Sequence, residues 1–307
     1  MARSEGLMSS DAPAPPLGCP LCALRSRRQF TRLLAAGTAA ALAPAVFAQD
    51  GVRADVGRNS RFTQLVPAEQ VESAAAQQYQ QLQREAAARH ALAPESHPQA
   101  VRLRAIARRI IPFAPAWNER ARRWPWAVSL LISPQLNAFC MPGGKIAFYS
   151  GILYKLQLDD DEVATIMGHE MAHALREHAR ERMGKSMATR GAIEIGAALF
   201  GLGQASRLAA DMGAQLLALK FSRDDETEAD LVGMDLAARS GYDPAAGVSL
   251  WRKMLEASRN APPQWLSTHP AGATRIKDIE AKLPKVEPLY ASAPRPTQRF
   301  APPSSAS

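Results

Sequence analysis

His169-Glu170-Met171-Ala172-His173 constrains this chain more than any other stretch of it. Residues four apart on an α-helix project from the same face, so two imidazoles at this spacing can reach one ion. Zinc favours neutral histidine nitrogens, and a catalytic zinc keeps one position for water. Glu170 then stands where it can take a proton from that water and pass it on. Val163, Ala164, Ile166, Met167, Met171, Ala172, Ala174 and Leu175 make the surrounding helix apolar nearly all round, which predicts that it is buried. A buried carboxylate without a partner is costly, and a metal would remove that cost. The helix is expected to start at Asp159-Asp160-Asp161, whose charges suit its dipole, and to run to about Arg182.

A third protein ligand remains to be found. A histidine arriving through His-x-x-Gly-x-x-His is excluded, because Arg176 and Ala179 occupy the positions that would need Gly and His. His178 is one residue out of that register and reads as a surface histidine. A glutamate on a later helix is the remaining option. Glu194 lies in Gly-Ala-Ile-Glu-Ile-Gly with no carboxylate four places on. Glu226 and Asp230 instead share a helix face with Gly233, whose missing side chain permits close approach to the histidine helix. On this reading Glu226 ligates one zinc per chain, and Asp230 accepts the second N–H of a ligand histidine. Glu194, or a merely exposed acidic face, stands as the alternative. Asp224, Asp225 and Glu228 read as a solvated helix start.

The rest of the chain predicts an α+β fold, mainly helical, with a small antiparallel sheet beside the histidine helix. Helices are expected over 67–90, 97–111, from 224 to just before Gly241, over 244–258 and over 271–283. Extended segments are expected at 126–132, 137–141 and 145–150, with Pro142-Gly143-Gly144 turning between the last two. Arg25-Ser26-Arg27-Arg28-Gln29-Phe30-Thr31-Arg32, an uncharged run and Val46-Phe47-Ala48 resemble a twin-arginine export signal, so the expected location is the periplasm. The expected organisation is a signal segment over 1–48, a linker over 49–66, one metal-binding domain over 67–284 and a disordered Pro/Ser-rich tail over 285–307. The formal charge of +8 loses three units with the signal segment, and no dense basic stripe with interleaved aromatics exists, which excludes a nucleic-acid partner. A weak attraction to anionic lipid, as peripheral membrane contact, is retained as an expectation. Residues 188–203 are apolar and Gly-rich but too short to span a bilayer, and Arg190 and Glu194 interrupt them; they read as a lid or a membrane-resting segment. Cys19 and Cys22 lack a second pair and precede the expected cleavage site, so Cys140 is left as the single thiol, with no intrachain disulfide.

Five linked motifs carry a family resemblance. They are H-E-x-x-H; Ser222-Arg223 ahead of Glu226-x-x-x-Asp230; the Gly241-Tyr242-Asp243-Pro244 turn; Asn137-Ala138-Phe139 with Pro142-Gly143-Gly144; and Ser267-Thr268-His269-Pro270 followed by Arg275. Together they resemble the HtpX-like and CAAX-prenyl-endopeptidase family of gluzincin zinc metallopeptidases, over about residues 65–285. The resemblance implies a zincin-type domain and an endopeptidase that takes unfolded or misfolded polypeptide. It also implies that Asn137, Ala138, Phe139 and Cys140 form a strand along the cleft able to pair with an extended substrate. It implies further that His269 approaches the zinc, either displacing water and holding the enzyme inactive or donating to the oxyanion. This chain departs from the membrane-embedded members in lacking hydrophobic spans. It looks like the compact periplasmic members tied to envelope protein quality control. A different class of function for the same cleft is a strand-gripping assembly factor with little turnover; Glu170 argues for turnover.

Overall fold

A computed structural model describes residues 50–194, 216, 220–258, 264–269 and 274–304. The expected signal segment, with Cys19 and Cys22, and most of the Gly-rich stretch 188–219 lie outside the described residues. Among those described are helices α1 (Ala68–Ala88), α2 (Pro98–Ile110), α3 (Ser150–Lys155), α4 (Asp160–Leu175), α5 (His178–Glu194), α6 (Arg223–Arg239), α7 (Ala246–Ala257), α8 (Gln264–Thr268) and α9 (Arg275–Ser292), with strands β1 (Ala127–Leu131), β2 (Ala138–Met141) and β3 (Lys145–Tyr149).

The α+β class holds, but the sheet is mixed where an antiparallel one was expected. Its order is β1-β3-β2, with β1 parallel to β3 and β2 antiparallel to it. The β2–β3 hairpin turns through Gly143 (φ 81°) and Gly144 (φ 73°), a left-handed backbone that glycine adopts without strain. A Cβ on Gly144 would also lie 2.6 Å from the Trp126 ring, so the turn admits no side chain there. The physical reason for the mixed sheet is the path of β1. It joins the far side of β3 in register Ala127↔Lys145 to Leu131↔Tyr149, which puts β3 in the middle and leaves β1 and β2 as the two edges among the described strands.

Helix α4 is the central rod. Asp159 caps it through a reciprocal box: its side chain accepts from the Glu162 N–H, and the Glu162 side chain accepts from the Asp159 N–H. β2 lies along one side of α4, α6 along another, and α2 and α7 close the remainder. Its apolar side chains join one core with Leu103 and Ile106 of α2, Ile146 and Phe148 of β3, Val232 and Leu236 of α6, and Trp251 of α7. The approach of α4 and α6 is backbone to backbone. A Cβ on Gly168 would lie 2.8 Å from the Gly233 carbonyl oxygen, and one on Gly233 would lie 2.8 Å from the His169 nitrogen. No other residue permits that separation.

Three boundaries differ from expectation. α4 ends at Leu175 rather than near Arg182, because Glu177 takes a left-handed conformation (φ 60°) and breaks the helical path before α5. The stretch 49–66, expected as a linker, packs on the domain where it is described. Val52 is fully buried, Arg176 donates to the Gly57 carbonyl at 2.6 Å, and Arg180 donates to the carbonyls of Thr63 and Val66. The tail expected to be disordered from 285 continues α9 to Ser292, with Val286 and Leu289 buried and Pro284 and Pro288 on its outer side. Beyond it, the Phe300 N–H reaches the buried Asp160 carboxylate at 2.8 Å. No described helix is long and apolar enough to cross a membrane.

Candidate metal centre

α4 delivers His169 and His173 to one point, one turn apart, and both are buried. Their Nε2 atoms are 3.1 Å apart. α6, brought close by Gly233, places the Glu226 carboxylate 3.6 Å from His169 Nε2 and 3.5 Å from His173 Nε2. His269, just past α8, brings its Nδ1 to 3.3 Å from His169 Nε2 and 2.9 Å from Glu226 Oε1. One donor atom from each of these four residues lies within 4.8 Å of all the others. A tetrahedral zinc with ligands near 2.0–2.1 Å requires donors about 3.3 Å apart. The observed separations and the three-nitrogen, one-oxygen donor set therefore fit zinc. Nitrogen lone pairs facing one another at these distances have no use in an ordinary core.

The electrostatics agree. Burial, followed by the neighbouring histidines, holds His173 well below the usual histidine range, so its ring is neutral and able to ligate. Burial acts to raise Glu226, yet the His269 hydrogen bond and the nearby cationic groups outweigh it and keep the carboxylate below its ordinary pKa. For His269, burial is overcome by the Glu170 and Glu226 carboxylates, which raise its pKa. Asp230 accepts from His169 Nδ1 at 3.0 Å, which fixes the tautomer that turns Nε2 toward the other donors. Burial would raise Asp230 too, but the Arg275 guanidinium and the His169 hydrogen bond hold it low.

Arg275 completes this side. Both Asp230 oxygens receive its donors at 2.7 Å, and its Nη1 reaches Glu226 Oε2 at 2.7 Å. Its guanidinium lies 3.7 Å over the Trp251 ring. Glu170 is buried beside the cluster, 3.5 Å from His269 Nε2, and its Oε1 accepts from the Trp265 indole N–H at 2.5 Å. Asn137, Ala138, Phe139 and Cys140 line a cleft of about 260 Å³ that Glu170, His173 and His269 also line. Cys140 is a buried free thiol, and burial and then the Glu170 charge push its pKa up.

The structure thus gathers His169, Glu170, His173, Glu226, Asp230 and His269 in one place and sets residues 137–140 on its rim. The Glu194 alternative falls on α5, and its side chain lies outside the described residues. Three expectations need correction. His178 is not a surface histidine but is buried, Glu228 is not simply solvated, since it pairs with Arg176 and His178, and Asp225 is buried, its carboxylate accepting from the Ser222 N–H to cap α6. The first two errors follow from the break at Glu177, which no helical spacing announces. Trp265 was missed altogether. The available signal was its spacing four residues ahead of His269. Phe221, which stacks on His173 with ring centroids 3.9 Å apart, left no sequence signal.

Comparison with known proteins agrees with this geometry. Residues 97–283 match peptidase family M48. The mitochondrial metalloendopeptidase OMA1 of Schizosaccharomyces pombe is 32% identical over 197 residues, covering 63% of this chain and 56% of that protein. Its Arabidopsis thaliana counterpart is 37% identical over 152 residues, 50% of this chain and 30% of that protein. The β-barrel assembly-enhancing protease of Escherichia coli is 27% identical over 175 residues, 54% of this chain and 36% of that protein. The chain therefore spans well under two thirds of the length of these relatives. The match runs from the start of α2 into α9 and takes in every donor of the cluster. The chain belongs to peptidase family M48, whose members are zinc-dependent metallopeptidases.

Proposed function

We propose that this chain is a zinc-dependent endopeptidase of the bacterial periplasm that cleaves misfolded or misassembled envelope proteins. The observation that carries the reading is the convergence of His169, His173 and Glu226 on one point with the Glu170 carboxylate beside it. Bound there, zinc would supply Lewis acidity toward a peptide carbonyl and toward water. The chain's own groups do the rest. Glu170, oriented by the Trp265 N–H, takes a proton from the attacking water and returns it to the leaving amine. Asp230 and Arg275 hold His169 and Glu226 in the ligating pose. Among the described residues β2 has no strand on its outer edge, so its main chain offers donors and acceptors to an extended substrate, which suits unfolded chain.

His269 is the member whose role the geometry refines. Its Nδ1 lies among the donors, where it completes a four-ligand set and closes the position that water needs. This supports a gate in preference to an oxyanion donor. The envelope role draws on the relative whose name ties it to β-barrel assembly, and the periplasmic location on the arginine-rich segment 25–32. Peripheral contact with anionic lipid belongs to the same reading.

The test measures zinc content and casein cleavage for the wild type and Glu170→Gln. Zinc retained by both, with hydrolysis lost only in the variant, is expected. Well-folded wild type without zinc would overturn the assignment. So would a variant that cleaves at the wild-type rate.

A further inference from the structure

The two ligand histidines on α4 are supported from different directions. His169 has the Asp230–Arg275 pair behind it. Behind His173 stands His178, whose Nδ1 is 2.9 Å from His173 Nδ1 while its Nε2 is 3.2 Å from Glu228 Oε2. Glu228 is anchored in turn by Arg176 Nε at 2.5 Å, and Arg176 also donates to the Gly57 carbonyl. His178 is 1% exposed, so this contact is not a surface accident.

The proton positions follow from two independent constraints. His173 Nε2 faces His169 Nε2 at 3.1 Å and Glu226 at 3.5 Å, so its lone pair points at the donor cluster and its proton belongs on Nδ1. Glu228 is a carboxylate and only accepts, so His178 carries its proton on Nε2 and offers a lone pair at Nδ1. The two assignments meet correctly: His173 Nδ1–H donates to His178 Nδ1, and His178 Nε2–H donates to Glu228.

Local backbone makes the contact possible. Had α4 continued, His178 would be rotated about 140° from His173 around the axis, out of reach. Glu177 at φ 60° folds the chain back instead, and α5 opens with His178 against the ligand it follows by five residues.

We infer that His178 is a positioning residue for the metal, accepting the Nδ1–H of His173 and, with Glu228 behind it, holding the Nε2 of that ring on the ion. The inference rests on the metal reading proposed above and adds to it a support for the second ligand. Outer hydrogen-bond partners of ligand histidines fix ring orientation and raise ligand basicity, and losing one typically weakens metal binding about 10–100-fold.

The experiment measures zinc affinity of the whole chain by competition with a chromophoric chelator, using zinc alone as the probe, together with the visible spectrum of the cobalt-substituted protein. His178→Ala is expected to bind zinc about 10–100-fold more weakly and to shift the cobalt bands. His178→Asn, whose side-chain oxygen can stand where Nδ1 stood, is expected to recover most of that loss. Wild-type affinity in His178→Ala would overturn the inference, as would equal weakening in His178→Ala and His178→Asn, since a mere packing defect predicts the latter. Should His178→Ala fail to fold, Glu228→Gln decides. It is expected to weaken zinc binding in the wild-type background and to leave it unchanged beside His178→Asn, and equal effects in both backgrounds would refute the relay. Wild-type protein that binds no zinc at all would overturn the reading of the site itself, an outcome distinct from normal binding that His178 does not influence.

Discussion

Gly233→Ala tests whether the contact between α4 and α6 sets the geometry of the donors. The added Cβ would stand 2.8 Å from the His169 nitrogen, 3.0 Å from the Gly168 carbonyl carbon and 3.0 Å from the His169 Cα. All three are backbone atoms, so no rotamer change can absorb the clash, and reaching ordinary contact distances of about 3.5–4.0 Å requires the helices to part by roughly 0.5–1 Å. Overpacking of this kind costs about 1–3 kcal/mol. Alanine within a helix recovers about 1 kcal/mol of that relative to glycine. The net loss is then about 0–2 kcal/mol, a fall in Tm of up to roughly 8 °C for a chain of this size. The separation acts more severely on the metal, because His169 and His173 ride on one helix and Glu226 on the other. Zinc affinity is expected to fall at least tenfold even where the fall in Tm is small. Thermal unfolding in chelator and zinc competition measure the two effects. Gly57→Ala is the control, since nothing lies within 4 Å of a Cβ there and stability should be unchanged. Gly233→Ala with wild-type Tm and wild-type zinc affinity would refute the reasoning.

His269→Ala is expected to retain zinc and to raise peptide cleavage, because it removes the donor that closes the set; a large fall in kcat would identify it as an oxyanion donor instead. Asp160→Asn strands Arg102, which is fully buried and pairs with Asp160 at 2.7 Å, and should destabilise the protein by about 3–5 kcal/mol in denaturant unfolding. A loss under about 1 kcal/mol would mean that the bonds from Arg102 to Leu158 and Gln99 suffice. Asp235 is fully buried, and burial raises its pKa despite the Arg239 pair. A raised carboxylate pKa favours the folded state while protonated, and this contribution is lost as pH rises from the unfolded value of 3.8 through the folded one. Asp235→Asn should therefore gain stability relative to wild type as pH rises from about 4 toward neutrality, and a difference that does not vary with pH would show that Asp235 has no shifted titration.

Much of the centre was legible in the sequence because it is written in spacing. H-E-x-x-H, E-x-x-x-D and Gly233 each encode a helix face, and helix faces survive into the structure wherever the helix does. The errors arose where the path of the chain departs from regular geometry. Glu177 is an ordinary residue in a left-handed conformation, and that single dihedral moves His178 from the solvent side of an extrapolated helix to the back of His173. The mixed sheet was not readable either, because strand periodicity reveals a face and not a direction. The stretch 49–66 read as a linker and 285–307 as a disordered Pro/Ser-rich tail, whereas a few anchors decide the outcome where these stretches are described. Val52, Val286 and Leu289 are buried, and Pro284 and Pro288, four residues apart, share the exposed face of α9 and leave its inner face to pack. Trp265 stands four residues ahead of His269, a spacing that gains its meaning once the fold ties the Trp265 backbone N–H to the Leu136 carbonyl at the entry to β2.

α6 carries Glu226, Glu228 and Asp230 within its first turns, and each goes to a different recipient: the donor cluster, His178 and His169. One rigid element therefore serves as the common datum for both ligand histidines. A slip of α6 by a single turn would take all three carboxylates out of place together, and no half-built version of the centre is available along that movement. Assembly of the site is a matter of registry, made or lost in one event, and the glycine contact between the two helices is the stop that defines it.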